Sequence, residues 1–318
     1  MTTAIIAIGR NEGTRFQACL ASITNQNATV IYVDSGSTDD SVAHAKAAGV
    51  EVVHLDMDQP FTAARARNAG VDRLVKMGVT VDFIQFIDGD CVLDPDWLKT
   101  AETFLNTHPD VAAVCGRLRE RFPNASLYNR LIDAEWDRPA GQTDASGGIV
   151  MMRAKAFSQV DGFNEAMIAG EEPELCYRLR QQGWDIWIIA AEMALHDVDM
   201  HHFGQWWKRS MRAGYTYAEG AALHGKGPEQ YNRRELQRAI LWGGVFPIII
   251  LIAAVLISIK ALLAVLIWPA QILRLTLRGE HLLQATFLTI GKFPEAQGAL
   301  KFWRDRRAGR KARLIEYK

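Results

Sequence analysis

Twenty-one consecutive residues without a charge, Ala239–Ile259, divide this chain into two parts that favour different solvents. As a helix the run matches the roughly 30 Å hydrocarbon core of a bilayer. A second apolar stretch, Ala261–Leu273, follows Lys260. It becomes long enough to cross only if it continues to Leu277, with Arg274 reaching toward the interface. Together the two read as a helical hairpin. Pro247 and Pro269 lie within them, and proline is better tolerated in membrane helices than in soluble ones. Lys208, Arg209, Arg212, Arg233, Arg234 and Arg238 precede the apolar block. Nine Lys/Arg against three Asp/Glu follow it between Lys292 and Lys318. Positive residues stay on the cytoplasmic side, so both flanks are expected in the cytoplasm, which an even number of crossings or an in-plane arrangement satisfies.

Upstream of this block the pattern changes to that of an α/β domain. Thr3–Ile8, Thr29–Val33 and Glu51–Leu55 are short β-rich runs, and they alternate with helical periods at Thr14–Thr24 and Asp40–Ala48. Such alternation implies parallel strands. A helix over Ala63–Met77, strands at Val81–Ile87, Val111–Cys115 and Gly147–Met152, a helix over Glu171–Gln182 and a last strand at Trp184–Ala190 complete the series. The N-terminal apolar run is short and has no basic cluster before it, so it reads as a first strand and not as a signal peptide. The domains expected are 1–235, catalytic; 236–280, a membrane-anchoring hairpin; and 281–318, an amphipathic, basic cytoplasmic tail, with His281–Ile290 a candidate interfacial segment.

Charge and cysteine narrow the function. Lys plus Arg and Asp plus Glu both number 36, so no whole-chain field points to a nucleic-acid partner. The four cysteines form no CxxC pair and no dense framework, which argues against a zinc site or a disulfide scaffold and fits a reduced compartment. No GxGxxG follows the first strand, which sets aside a dinucleotide-dependent oxidoreductase.

The most informative acids stand where an apolar strand stops, at Asp88–Gly89–Asp90. Ligands of open α/β sheets bind at this edge. A divalent cation held by Asp88 and Asp90 would neutralise phosphate charge on a departing nucleotide. A turn with solvated carboxylates is the plainer alternative. Glu12 and Asp34 occupy the ends of two earlier strands, and Asp34 is the better candidate to accept hydrogen bonds from a base or ribose. An Asx-turn or helix cap would also explain it. Arg65 and Arg67 offer forked donors to a diphosphate, against the alternative of a solvated helix face.

In order, IGRNEG, VDSGSTDDS, ARARNAG, FIDGDC, SGG, VDGFNE and GEEPELCYRLRQQGW resemble the family 2 glycosyltransferases, over about residues 3 to 202. The resemblance implies a GT-A (nucleotide-diphospho-sugar transferase) fold, a Rossmann-like mixed sheet with flanking helices. It also implies a nucleotide-diphosphate sugar donor such as a UDP-sugar, Mg or Mn at Asp88 and Asp90, and inversion at the anomeric carbon. The family's base, the acid ending a Glu-Asp pair, matches Glu172, with Glu for Asp; Glu171 is the alternative. The resemblance further places His196 near the metal or diphosphate, Arg67 toward the donor, and Gly148 in the SGG donor motif. Trp206 and Trp207 match the following helix, or else mark a membrane interface. No QxxRW-like signature accompanies these motifs. The expected activity is single sugar additions to a lipid-linked or polysaccharide acceptor at the inner (cytoplasmic) membrane. The alternative is a non-catalytic scaffold that retains the nucleotide pocket.

Overall fold

A computed structural model describes residues 2–310 and residue 315. The chain divides into two compact units, Met1–Asp199 and Met200–Lys318.

The first unit is built on a sheet whose strands are β1 (Thr3–Gly9), β2 (Thr29–Asp34), β3 (Glu51–His54), β4 (Phe83–Asp88), β5 (Cys91–Leu93), β6 (Val111–Glu120), β7 (Gly141–Gln142), β8 (Val150–Arg153) and β9 (Asp185–His196). Their spatial order is β3-β2-β1-β4-β8-β6-β9-β5, with β7 on β9. The first four strands are mutually parallel, as the alternation implies. Further on the sheet is mixed, because β8 runs antiparallel to β4 and β6, and β5 antiparallel to β9.

Helices α1 (Thr14–Thr24), α2 (Ser41–Ala47), α3 (Ala63–Lys76), α4 (Trp97–Thr107), α5 (Leu127–Trp136), α6 (Ala154–Gln159) and α7 (Glu171–Gln181) flank this sheet. In β1, Ile5 and Ala7 point into one core with Phe16, Leu20, Ile23 and Trp97. Ala4, Ile6 and Ile8 point into another with Leu74, Phe157, Leu175 and Leu179. A strand covered on both faces reads as an unbroken apolar run. Each such fully buried Ile, Leu or Phe side chain contributes about 1.5–3 kcal/mol over an exposed one.

Two strands run further than the apolar pattern predicts. β6 continues past Cys115 to Glu120, and β9 past Ala190 to His196. The extensions are polar on one face, where Arg119 and Glu192 pair across the two strands at 2.7 Å, and register shifts around Gly116 interrupt the alternation. Polar, irregular strand ends give no hydrophobic period to read.

The second unit is helical: α8 (Phe203–His224), α9 (Arg233–Ile240), α10 (Phe246–Leu256), α11 (Ile267–Leu277), α12 (Leu282–Ile290) and α13 (Lys292–Arg307). It begins at Met200, and α8 packs on α13 within it. The two helices cross where each carries a glycine. A Cβ at Gly214 would fall 1.9 Å from the Glu295 carbonyl, and one at Gly298 would fall 1.9 Å from that of Met211. Within the expected tail, α12 and α13 are therefore ordered, packed helices, and the expectation for residues 311–314 and 316–318 lies outside the described residues.

Two helical stretches, Arg233–Leu256 and Ile259–Leu277, are long and apolar enough to cross a membrane by length and composition. The first contains a five-residue π turn at Leu241–Val245, just before Pro247. Proline cannot donate to the carbonyl four residues back and crowds it, so the widened turn accommodates it. These stretches are not core helices. Ile248, Ile249, Leu251, Ile252, Val255 and Leu256 are all exposed.

Candidate active site

Register brings the strand-end residues to one edge of the sheet. Gly9 pairs with Asp34, and Ile8 pairs with Asp88. The loops that leave this edge are laced together: the Asn11 Oδ1 accepts from the Thr38 amide at 2.7 Å, its amide donates to Ser37 Oγ, and the Gly13 amide donates to Asp39 Oδ2. Asp34 is buried and makes the Asx-turn, accepting from the amides of Gly36 and Ser37 at 3.1–3.2 Å and from the Tyr32 hydroxyl at 3.3 Å. That carboxylate shapes the loop first. Glu12 lies at the start of α1 and pairs with Arg15 at 3.0 Å.

The helix after β3 contributes a buried cation. Arg67 is 2% exposed, and its fork spans two elements. Nη2 donates to Asp88 Oδ1 at 3.0 Å, while Nη1 donates to Glu171 Oε1 at 3.0 Å and to Glu172 Oε1 at 2.7 Å. These donors reach three carboxylates from β4 and α7. Arg65 is likewise occupied, donating to the carbonyls of Asp56, Gln59 and Pro60.

One guanidinium faces three carboxylates, and the imbalance acts on Glu172. Glu172 is pushed up to about 7, by burial first and then by the Glu171 carboxylate, with Arg67 acting in the opposite direction. Arg67 itself is raised further above its ordinary range, since its three acidic neighbours outweigh the cost of burial. Both glutamates stand in the first turn of α7, where the helix dipole favours their charged forms. Glu174 is different: it pairs with Arg178 one turn on, at 2.8 Å. Gly148 closes the cluster from the β8 side. A Cβ there would come 2.8 Å from Arg67 Nη2 and 2.9 Å from Glu172 Oε1, so no other residue fits without displacing the ion network.

Beyond Gly89 the turn delivers a second constellation. Asp90 is buried, and β5 begins at the next residue. Because Cys91 pairs with His196 in the β5–β9 ladder, a residue 106 positions away is brought opposite the turn. His196 Nε2 lies 3.2 Å from Asp90 Oδ2. Ligand atoms of Asp90, Cys91 and His196 all fall within 4.8 Å of one another. Asp88 is not in that group. The donor set suits a borderline cation such as Mn, for which a carboxylate and an imidazole are fitting ligands. The Cys91 thiol sits beside them as a donor to Asp90 Oδ1 at 3.5 Å.

Two neighbours of this site carry no motif. Trp136, at the end of α5, stacks on the His196 ring at 4.9 Å and 12°. Glu120, the last residue of β6, is buried beside the main chain that follows His196. The amphipathic period of α5 would mark Trp136 only as a helix-end aromatic. In the second unit, Trp206 is buried edge-on against Phe287 at 4.8 Å, and Trp207 donates to Gln297 Oε1. Packing within the helical unit thus accounts for both.

Residues 4–160 match the profile described as Glycosyl transferase family 2. A pre-mycofactocin glycosyltransferase of Mycobacterium tuberculosis is 27% identical over 212 residues, covering 61% of this chain and 42% of the relative. The succinoglycan biosynthesis protein ExoA of Rhizobium meliloti is 28% identical over 203 residues, covering 59% of this chain and 61% of the relative. This chain thus spans about half the length of the curated relatives it matches. Among solved structures, a mannosyltransferase from Pyrobaculum calidifontis, in complex with GDP-Man and Mn2+, superposes with a TM-score of 0.65 at 18% identity, over 96% of this chain and 87% of that one. Residues 1–349 of S. aureus TarS, in complex with UDP-GlcNAc, give 0.54 at 12% identity, over 98% and 93%. The likeness to these structures establishes the GT-A fold. The chain belongs to the family 2 glycosyltransferases.

Proposed function

We propose that this family 2 glycosyltransferase is an inverting enzyme that moves a sugar from a nucleotide-diphosphate donor to a hydroxyl of a lipid-linked or polysaccharide acceptor, working at the cytoplasmic face of the inner membrane. The observation that carries the reading is Arg67, which ties Glu172 to Asp88 within one ion cluster at the sheet edge, one turn from Asp90 and His196. The base of this reading is thereby held to the turn that carries Asp90, its cation-holding acid.

In this reading Glu172 takes the proton of the acceptor hydroxyl. The hydroxyl oxygen attacks the anomeric carbon from the face opposite the diphosphate, the carbon–phosphate-oxygen bond breaks, and its electron pair leaves with the nucleoside diphosphate. A carboxyl raised to about 7 is close to the best compromise between being ionised and holding the proton it receives. Arg67 orients Glu172 through the 2.7 Å contact and stays charged throughout. Asp90 and His196 are the residues that would hold Mn, or less fittingly Mg, and Asp88 stands between that site and the base. When bound, the cation supplies positive charge to the departing phosphates. Asp34 and Glu12 face the nucleotide side of the same edge.

The membrane part rests on the exposed apolar surface of Arg233–Leu256 and Ile259–Leu277, which water would disfavour. A tether raises the local concentration of an acceptor confined to the bilayer. The name of one relative, a succinoglycan biosynthesis protein, is consistent with a glycan acceptor.

Detergent-purified protein screened by thermal shift against nucleotide sugars, with and without Mn, tests the donor. Ligand binding raises the midpoint by mass action. A Mn-dependent shift with one nucleotide class, followed by turnover, is expected. Binding without turnover toward any acceptor would return the scaffold reading, and absence of any shift would sink both.

A further inference from the structure

His196 comes from the end of a long strand and must hold its ring still to aim Nε2 at Asp90. Two groups outside the reaction surround it. Glu120 faces His196 in the β6–β9 ladder, where the Arg121 amide donates to the His196 carbonyl at 2.8 Å. Its carboxylate is 3% exposed and bridges three segments. Oε2 accepts from the Val198 amide at 3.0 Å, and Oε1 accepts from the Phe122 amide at 2.9 Å and from Asn129 Nδ2 at 3.3 Å. Leaving a buried carboxylate in such a place is costly unless its acceptors are filled, and here Oε2 is filled by Val198, two residues past His196, and Oε1 by Phe122 and Asn129.

The same network docks α5. Ser126 caps the helix by accepting from the Tyr128 and Asn129 amides. Asn129 reaches Glu120, and Asp133 Oδ1 accepts from the Glu120 amide at 3.0 Å and from Arg117 at 3.2 Å. At the far end of this fixed helix, Trp136 lies flat on the His196 ring. Two holds, linked through Asn129 and Asp133, therefore converge on one imidazole.

We propose that Glu120 and Trp136 are positioning residues for the cation site: Glu120 fixes the main chain around His196, and Trp136 fixes its ring plane. This rests on the reading of His196 as a cation ligand. Neither residue touches the reacting atoms; both act by restricting where Nε2 points.

The test is the dissociation constant for Mn2+ alone, read from the electron paramagnetic resonance signal of the free ion with the full chain in detergent. Trp136→Ala should weaken binding about tenfold, the lower range for partners that orient a metal ligand, and Trp136→Phe should recover most of it. Glu120→Gln, which keeps the shape but loses an acceptor, should weaken it similarly. In a His196→Ala background neither change should cost anything more, since residues acting through one group are not additive. Should Glu120→Gln fail to fold, the Trp136 pair still decides. Additive losses, or an unchanged constant in Trp136→Ala while His196→Ala is weakened, overturn the inference alone. An unchanged constant in His196→Ala overturns the cation reading and the inference with it.

Discussion

Asp88 and Asp90 stand two residues apart on one turn, yet they belong to different surroundings. Asp88 is bound to a guanidinium shared with two glutamates. Asp90 is bound to an imidazole and lies against a thiol. Gly89 lets the chain reverse between them, with its amide on the Ile8 carbonyl at 2.7 Å. The difference teaches that a short acidic motif need not act as one unit: one carboxylate is paired within an ion cluster, and the other faces an imidazole and a thiol.

The sharpest way to separate the two arms is to remove the proposed base. Glu172→Gln keeps the hydrogen bond from Arg67 but cannot take a proton. Transfer should fall by about 10²–10⁴-fold, the usual share of a general base, while the Mn-dependent donor shift in thermal midpoint persists. Transfer near the wild-type rate would place the base elsewhere. Arg67→Met comes next. It leaves three buried or half-buried carboxylates without their shared cation, and breaking a buried pair from one side costs about 3–5 kcal/mol. A large drop in thermal midpoint is expected, partly recovered at low pH, where the carboxylates are protonated. An unchanged midpoint would mean that the cluster is better solvated than its geometry indicates. On the other arm, Asp90→Asn should weaken Mn binding by about tenfold or more, with little loss of midpoint, because the amide keeps the shape and the contact to His196. Equal effects of Asp88→Asn and Asp90→Asn on the Mn constant would erase the distinction between the arms.

How much of this could be read beforehand follows the same division. The turn at Asp88–Asp90 was legible because a buried apolar strand ends there abruptly, and Glu171–Glu172 because a helical period begins at that point. Parallel strands β1 to β4 were legible for the same reason: both faces are covered, so their sequence is continuously apolar. Arg67 was legible as a candidate, but its carboxylate partners were not. An arginine on a helix looks alike whether it faces water, phosphate or acids, and its partners lie 21, 104 and 105 residues away. The reach of β6 and β9 was hidden by polar alternation around Arg119 and Glu192, and with it the ladder that sets His196 against Asp90. Trp136 and Glu120 depend on that ladder, so nothing local announces them. The packing of α8 was hidden for a related reason: its partner, α13, lies beyond the apolar block.

The smallest effect tests the coupling within the Asp88 arm itself. Glu172 is raised by burial and, next, by the negative charge of Glu171, and both share Arg67 Nη1. A raised carboxyl is protonated and idle as a base below its titration point, so transfer should fall as pH drops through about 7. Glu171→Gln removes the like charge while keeping a hydrogen-bond acceptor for Arg67. The carboxylate form of Glu172 then becomes easier to reach, and the acidic limb of kcat/KM should move to lower pH, although burial still holds it above an ordinary glutamate. Activity at mildly acidic pH should therefore rise relative to the parent, with little change on the alkaline side. Asp90→Asn, on the other arm, should lower the plateau without moving that limb. A limb that stays in place in Glu171→Gln, or that moves in Asp90→Asn instead, would show that the proton and the cation are governed by the same group after all.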